Sequence, residues 1–450
     1  MNVSSDTIKE KFSKASRIER FQELIKIKTI SYNDPEKIDF AVFKQFENTL
    51  AQLYPSIHAA CEKTHHGPTG LLFQLKGREA GAPIVLMSHY DVVPVNEELW
   101  TVPAFDALIK EDAIWGRGTL DTKGTLFAVM ESVEENLDQG FVPKNDIYLS
   151  FSGDEEISGD SAPSIVRHLK SLGIEPALVL DEGGAVVEEV FPGLKKPCAL
   201  IGVGEKGYLD VSISLEGQGG HSSAPPAQTL VTRLAKVLIK LEQYPLQAHF
   251  TPPVSDMFKT LGKESEGVYK FIFKHLNVFA PLLKWYFTKQ GGEMNAMIRT
   301  TIAPTKMAGS KAFNVMPPVA TIGLNLRILG TDKIDDVIAH IKKVSGEPDL
   351  IVTVHERREA SPDSPSDSTG FKNVKNAIEA VWPNAVVSPY LMLAGSDSRH
   401  FCEVSKNVLR FSAMALSKTE RGLIHSNDER ITIKGLLEAV DFYKALLKHY

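Results

Sequence analysis

The stretch Ser150-Phe-Ser-Gly-Asp-Glu-Glu-Ile-Ser-Gly-Asp160 decides how this chain is read. It follows Asp146-Ile-Tyr-Leu-Ser-Phe151, an apolar run with the length and composition of a buried strand. Asp154, Glu155 and Glu156 therefore sit where a buried strand ends. Carboxylates gathered there repel one another and lose hydration, so something must compensate them.

Outward from this point the pattern alternates strand and helix. PIVLMSH (83–89) is a continuous apolar run ending at His89, and GTLFAVMESVEENL (124–137) has helical periodicity just after Asp121. SAPSIVRHLKSLG (161–173) is a helix closed by Gly173, and PALVLDEG (176–183) is a further strand reaching Asp181. Such alternation predicts an α/β fold, a mostly parallel sheet covered by helices on both faces. Ligands of such sheets gather beyond the carboxyl ends of the strands.

The pattern changes after Gly204. YLDVSISLEG (208–217), VATIGLNLRIL (319–329) and DLIVTVHERRE (349–359) include period-2 strands, separated by amphipathic helices at 229–244 and 335–346. They predict a smaller α+β domain inserted into the first. The loop-like SPDSPSDSTG (361–370) precedes a return to α/β character. The expected division is a catalytic domain split over 1–205 and 360–450, with 206–359 inserted. Residues of about 243–290, centred on VYKFIFKHLNVFAPLLKWYFTK, read as an extra helical layer on the small domain; a sharper alternative is an apolar wall over the substrate.

The 450 residues are 43% hydrophobic and 24% charged, with a formal net charge of -6. An acidic balance argues against nucleic acid as a partner. The N-terminus lacks the apolar core of a signal peptide, and no run is apolar enough to span a bilayer, so a cytoplasmic protein without a membrane partner is expected. Cys61, Cys198 and Cys402 are too dispersed for a disulfide framework and read as small apolar residues.

Singly, the candidate site residues are ordinary. His89 and Asp91 form one His-x-Asp pair, Asp121 could cap the following helix, and Asp181 could end a turn. Jointly they are informative. His89, Asp121, one of Glu155 and Glu156, Asp181 and the distant His425 can hold two divalent ions about 3.5–4 Å apart. Mixed imidazole and carboxylate donors favour two Zn2+, with Co2+ or Mn2+ able to substitute. Neighbouring Glu155 and Glu156 point in opposite directions, so one can ligate while the other faces a water or substrate.

The motifs HYDVVPV, WGRGTLDTKG, SGDEEISG, LVLDEG, GGHSSAPP, NVMPP…LNLR and IHSNDE resemble the dinuclear-zinc carboxypeptidase and aminoacylase family, closest to its carboxypeptidase S branch. The resemblance implies that Asp121 bridges both ions, with His89 and Asp181 completing one site and Glu156 and His425 the other. It implies Glu155 as general base, Asp91 as the group orienting His89, and a cis bond between Asp121 and Thr122. His221 would stabilise the oxyanion, reaching a partner's site in dimeric members. Asn314, Arg327 and Gly395 would line the substrate site. Thr122 and the AGSDSRH stretch (394–400) depart from the usual pattern and bear on specificity.

The implied reaction is hydrolysis of an amide beside a free carboxylate, on short peptides as a carboxypeptidase or dipeptidase. The alternative is an amidohydrolase acting on N-acyl amino acids with the same residues. A non-catalytic metal-binding protein is the remaining class. Whether the chain stays single or pairs as a homodimer through the inserted domain is open, as is any contact of Arg399 or His400 with substrate.

Overall fold

The computed structural model describes residues 5–188, 191 and 193–450. Eight strands form the large sheet, in the order Cys61–His66, Gly70–Leu75, Ile147–Ser152, Ile84–His89, Leu178–Val187, Val408–Leu416, Cys198–Glu205, Val386–Met392. Ile84–His89 runs parallel to both its neighbours, and Leu178–Val187 runs parallel to Val408–Leu416. Antiparallel pairs are confined to the Cys61–His66 and Gly70–Leu75 side and to short contacts around Cys198–Glu205. Every residue of Ile84–His89 and Ile147–Ser152 is buried, which is why these strands are apolar without alternation.

Helices supply the covering layers. Lys123–Asp138 is buried along most of its length and packs on Ile433–Leu447. The latter starts where the Thr432 hydroxyl accepts the Gly435 N–H at 3.0 Å. Its Leu436, Ala439, Val440, Tyr443 and Leu447 recur at helical spacing and face the core.

The smaller sheet is antiparallel, in the order Thr301–Ala308, Val319–Ile328, Gly207–Glu216, Ile351–Arg358. Leu209, Val211, Ile213 and Leu215 lie opposite Leu326, Leu324, Ile322 and Ala320, all buried. Alternation along both strands turns these side chains to one face, covered by helices Leu230–Gln243 and Ile334–Ser345. This core is separate from that of the large sheet.

The helical segment departs from the sequence expectation. Helices Pro252–Glu264, Gly267–Lys274, Leu276–Gln290 and Gly292–Ile298 join the core of the large sheet, not that of the small one. Pro252–Glu264 lies against Val386–Met392. Phe258 packs between Phe191, Phe273 and Phe287, with ring centroids 5.3–5.7 Å apart. The edge strand offers Val387 and Leu391, and burying Phe258 there contributes about 1.5–3 kcal/mol. Periodicity announces that a helix has an inward face, but not which surface receives it.

The cysteines are free, and burial pushes the Cys61 and Cys198 thiols up to about 12.

Candidate metal centre

The site forms at the carboxyl ends of adjacent large-sheet strands. His89 ends one strand and lies in register with Ser152, the end of the next. Three residues on, the chain tightens into a single helical turn, Glu155–Ile157, which leaves through Ser158 at a left-handed φ of 53°. Asp121 precedes helix Lys123–Asp138, and its peptide bond to Thr122 is cis. His425 comes from the returning half of the chain, also at positive φ.

Asp121 stands between two imidazoles. Its Oδ1 is 2.9 Å from His89 Nε2, and its Oδ2 is 3.0 Å from His425 Nε2. His425 Nε2 is in turn 3.1 Å from Glu156. On the other side, His89 Nε2 is 3.5 Å from Glu182 Oε1. Donor atoms of His89, Asp121 and Glu156 lie within 4.8 Å of one another, as do those of His89, Glu155 and Glu182.

Asp181 is not part of this group. Its carboxylate accepts the Ser398 N–H at 2.9 Å and is buried on the opposite side of the strand. Successive side chains of a strand alternate between faces, so only one of Asp181 and Glu182 can meet His89. Glu182 does, and the expectation for Asp181 is corrected by one position. The adjacent acids in LVLDEG were the available signal, since either could have been the one facing inward.

Asp91 does more than accompany His89. Its buried carboxylate accepts the backbone N–H groups of Glu155 and Glu156, each at 3.1 Å, and the Ser31 hydroxyl at 2.7 Å. His89 Nδ1 is 3.0 Å from the Asp91 carbonyl oxygen and 3.4 Å from its carboxylate. A proton on Nδ1 donated to Asp91 leaves the Nε2 lone pair aimed at Asp121 and Glu182. Asp91 thus fixes an imidazole and the Glu155–Glu156 turn together.

Glu429, the last acid of IHSNDE, was not foreseen. Fully buried, it pairs with Arg117 at 2.7 Å and accepts the N–H groups of Gly118, Leu120 and Asp121. It shapes the loop that presents Asp121.

The charges are out of balance. Burial, reinforced by Asp397, Glu182 and Asp91, raises the Glu155 carboxyl well above its usual range against the pull of His89. Burial likewise lifts Glu182 to about 8. Asp121 is lowered: its burial is outweighed by His425 and His89. Hydrogen bonds to Asp121 and Glu156 raise His425 to about 10. Imidazoles and surplus half-buried carboxylates converging on a few ångströms are the donor chemistry of divalent cations, and the residues fit such ions.

A second cluster is cationic. Arg327 and Arg358 both lie against the Tyr208 ring, 4.8 and 5.4 Å from its centroid. A Cβ at Gly395 would come within 3.3 Å of Arg358 Nη2. Burial, with Arg399 and Arg327 nearby, lowers Arg358; burial, with Arg399 and Arg358 nearby, holds His400 down at about 4. Such a group suits a carboxylate. Gly395 and Arg399 flank Ser398, whose N–H holds Asp181, the strand neighbour of Glu182, so this short segment runs close behind the metal-binding group. Arg358 was missed because HERRE presents adjacent arginines on an alternating strand.

His221 and Asn314 meet each other but not the centre. Gly220–His221 pairs with Val315–Met316, and the Asn314 carbonyl accepts the Ser222 N–H at 3.1 Å. His221 is exposed, on the smaller domain.

A mostly apolar cavity of about 250 Å³ is bounded by Gly183 and Ile424, the chain neighbours of Glu182 and His425, and like the next cleft it is lined by none of the site side chains. Phe191, Met257, Leu261 and Met297 line it. A larger cleft of about 500 Å³ around Trp382 and Glu438 contains none of the site residues.

Comparison with known proteins agrees with the motifs. The profile of Peptidase family M20/M25/M40 matches residues 85–449. Probable carboxypeptidase S-like 2 of Dictyostelium discoideum is 35% identical, covering 99% of this chain and 88% of the relative. N-fatty-acyl-amino acid synthase/hydrolase PM20D1 of Xenopus tropicalis is 32% identical, covering 96% of this chain and 85% of the relative. The M20 family metallo-carboxypeptidase Sso-CP2 from Sulfolobus solfataricus shares the fold, with a TM-score of 0.71 at 19% identity over 96% of this chain and 98% of that one.

Proposed function

This chain belongs to peptidase family M20/M25/M40, a family of metal-dependent hydrolases, and from that premise we propose that it hydrolyses an amide bond next to a free carboxylate, releasing the C-terminal residue of short peptides. The observation that carries the reading is the meeting of Asp121, Glu156 and His425 on one side of His89 and of Glu182 and Glu155 on the other.

His89 and Glu182 would hold one Zn2+, Glu156 and His425 a second, and Asp121 both. Divalent ions so placed polarise an amide carbonyl and lower the pKa of water towards neutrality. Glu155 takes the proton of the attacking water and passes it to the leaving amine. Its backbone anchor on Asp91 holds it in place while it does so. Arg327 and Arg358, with Gly395 leaving room, receive the substrate carboxylate. His221 and Asn314, on the 206–359 unit, would meet the carbonyl oxygen on domain closure or across a homodimer. The cytoplasm is the proposed compartment.

The cavity beside the centre favours a second reading, in which the group released is the acyl chain of an N-acyl amino acid. Glu293 and Arg421 also reach its wall, 4.0 Å apart, but its lining of Phe191, Met257, Leu261 and Met297 suits a hydrocarbon chain better than peptide backbone.

The test is a side-by-side assay of the metal-loaded protein on dipeptides and on N-acyl amino acids of increasing chain length. Peptide cleavage supports the first reading; turnover rising with acyl length supports the second. No hydrolysis of either class sinks both.

A further inference from the structure

The helical segment carries a second surface, unrelated to the metal centre. Residues 267–290 contain Lys270, Lys274, Lys284 and Lys289 and no Asp or Glu, in a chain of net charge -6. Helix Leu276–Gln290 has two apolar faces. Leu276, Leu283 and Phe287 point into the core. Val278, Leu282, Trp285 and Tyr286 recur at i, i+4, i+7 and i+8 on the outside, with Val278 74%, Leu282 53% and Trp285 55% exposed. Exposed Phe271 of helix Gly267–Lys274 extends this face, its ring 5.8 Å from that of Phe279. Among the described residues, none of the four lysines forms an ion pair, and Lys289 lies 4.8 Å from the Trp285 ring centroid.

We propose that this face, Phe271, Val278, Leu282, Trp285 and Tyr286 ringed by lysines, rests on the surface of an anionic phospholipid bilayer. Charge decides among occupants. A second copy seated by a two-fold axis would bring lysines against lysines, and residues 267–290 supply no acid to relieve them. An anionic headgroup layer neutralises them instead. Apolar side chains on an amphipathic helix enter the boundary between headgroups and acyl chains, where Trp and Tyr are at home. Among the described residues no helix is long and apolar enough to cross a membrane, so the contact lies in the plane of the interface.

The full chain is sedimented with vesicles of phosphatidylcholine alone and of phosphatidylcholine mixed with phosphatidylserine. Binding is expected to the mixed vesicles and to fall about tenfold or more as salt rises and screening shortens to a few ångströms. Leu282→Glu with Trp285→Glu should abolish it, and replacing the four lysines by Gln should remove its salt dependence. Hydrolysis of a soluble substrate and the melting temperature serve as controls for folding. A second measurement needs no variant. Trp100, Trp115 and Trp382 are nearly buried, so brominated lipid should quench chiefly Trp285. Absence of wild-type binding at low salt, binding unaltered in the double variant, or unquenched fluorescence on bound vesicles would each overturn the proposal. So would a dimer in solution that Leu282→Glu dissociates, because the face would then be an interface between copies.

Discussion

Glu182 Oε1 stands 3.5 Å from Nε2 of His89, whereas the carboxylate of Asp181, one residue earlier, turns away to the Ser398 N–H. The two acids should therefore behave differently. Glu182→Gln should lower the metal retained after dialysis, measured by elemental analysis. Asp181→Asn should keep the metal and lose stability, by about 1–3 kcal/mol for a weakened buried hydrogen bond. Metal loss in Asp181→Asn with full retention in Glu182→Gln would reverse the assignment.

Glu155 reaches the same region but is held for proton transfer. Glu155→Gln should reduce kcat by about 10²–10⁴-fold, the usual worth of a general base. Metal content should not change, because His89, Asp121, Glu156, Glu182 and His425 remain. Turnover close to wild type with metal bound would remove Glu155 from the role.

Chelation should abolish hydrolysis and lower the melting temperature. Without cations, Glu155 and Glu182 crowd one side of His89 and Asp121 and Glu156 the other. Ions that bind only the folded chain stabilise it by mass action, about 2.7 kcal/mol at a hundred times Kd. Calorimetry before and after verified metal removal gives the answer; an unmoved transition counts against the centre.

Glu47 offers a pH test away from the metals. Partial burial opposes its ionisation, but Lys44, Lys63 and His65 outweigh this and lower its pKa to about 2. The folded value lies below the unfolded one, so the ionised form stabilises the fold. That contribution is complete above about pH 4.5 and fades as pH falls towards 2. In denaturant titrations of chelated protein, wild type should exceed Glu47→Gln at pH 7, and the gap should close on acidification below about pH 4.5. A gap that widens in acid would contradict the pairing.

Much of the centre was legible because its ligands sit in short motifs at strand ends, where buried acids need an explanation. His89 was found that way, Asp121 and His425 from their motifs, and Glu156 through the family resemblance that set it apart from Glu155; the structure brings the four together. Glu182 was missed because two adjacent acids share one motif and only strand phase separates them. Arg358 was hidden in the same way beside Arg357. Glu429 acts through backbone N–H groups, which leave no trace in side-chain chemistry. The partner of the helical segment was also illegible: Phe258 reports that it wants burial, and only the tertiary structure supplies Phe191 and the strand Val386–Met392.

Because that segment is anchored on the large sheet, the polypeptide passes between the two cores near Lys206, between Gln243 and Pro252, between Ile298 and Thr301, and near Glu359. A simple insertion would need only the first and last of these. The Lys206 ammonium donates to the carbonyls of Ala296 and Arg299, tying two of the passages together. Tethers at several points leave the smaller unit few ways to swing. Any swing that the proposed role of His221 calls for is confined by these tethers, and loosening the Lys206 tie would relax that confinement at a distance from every reacting atom.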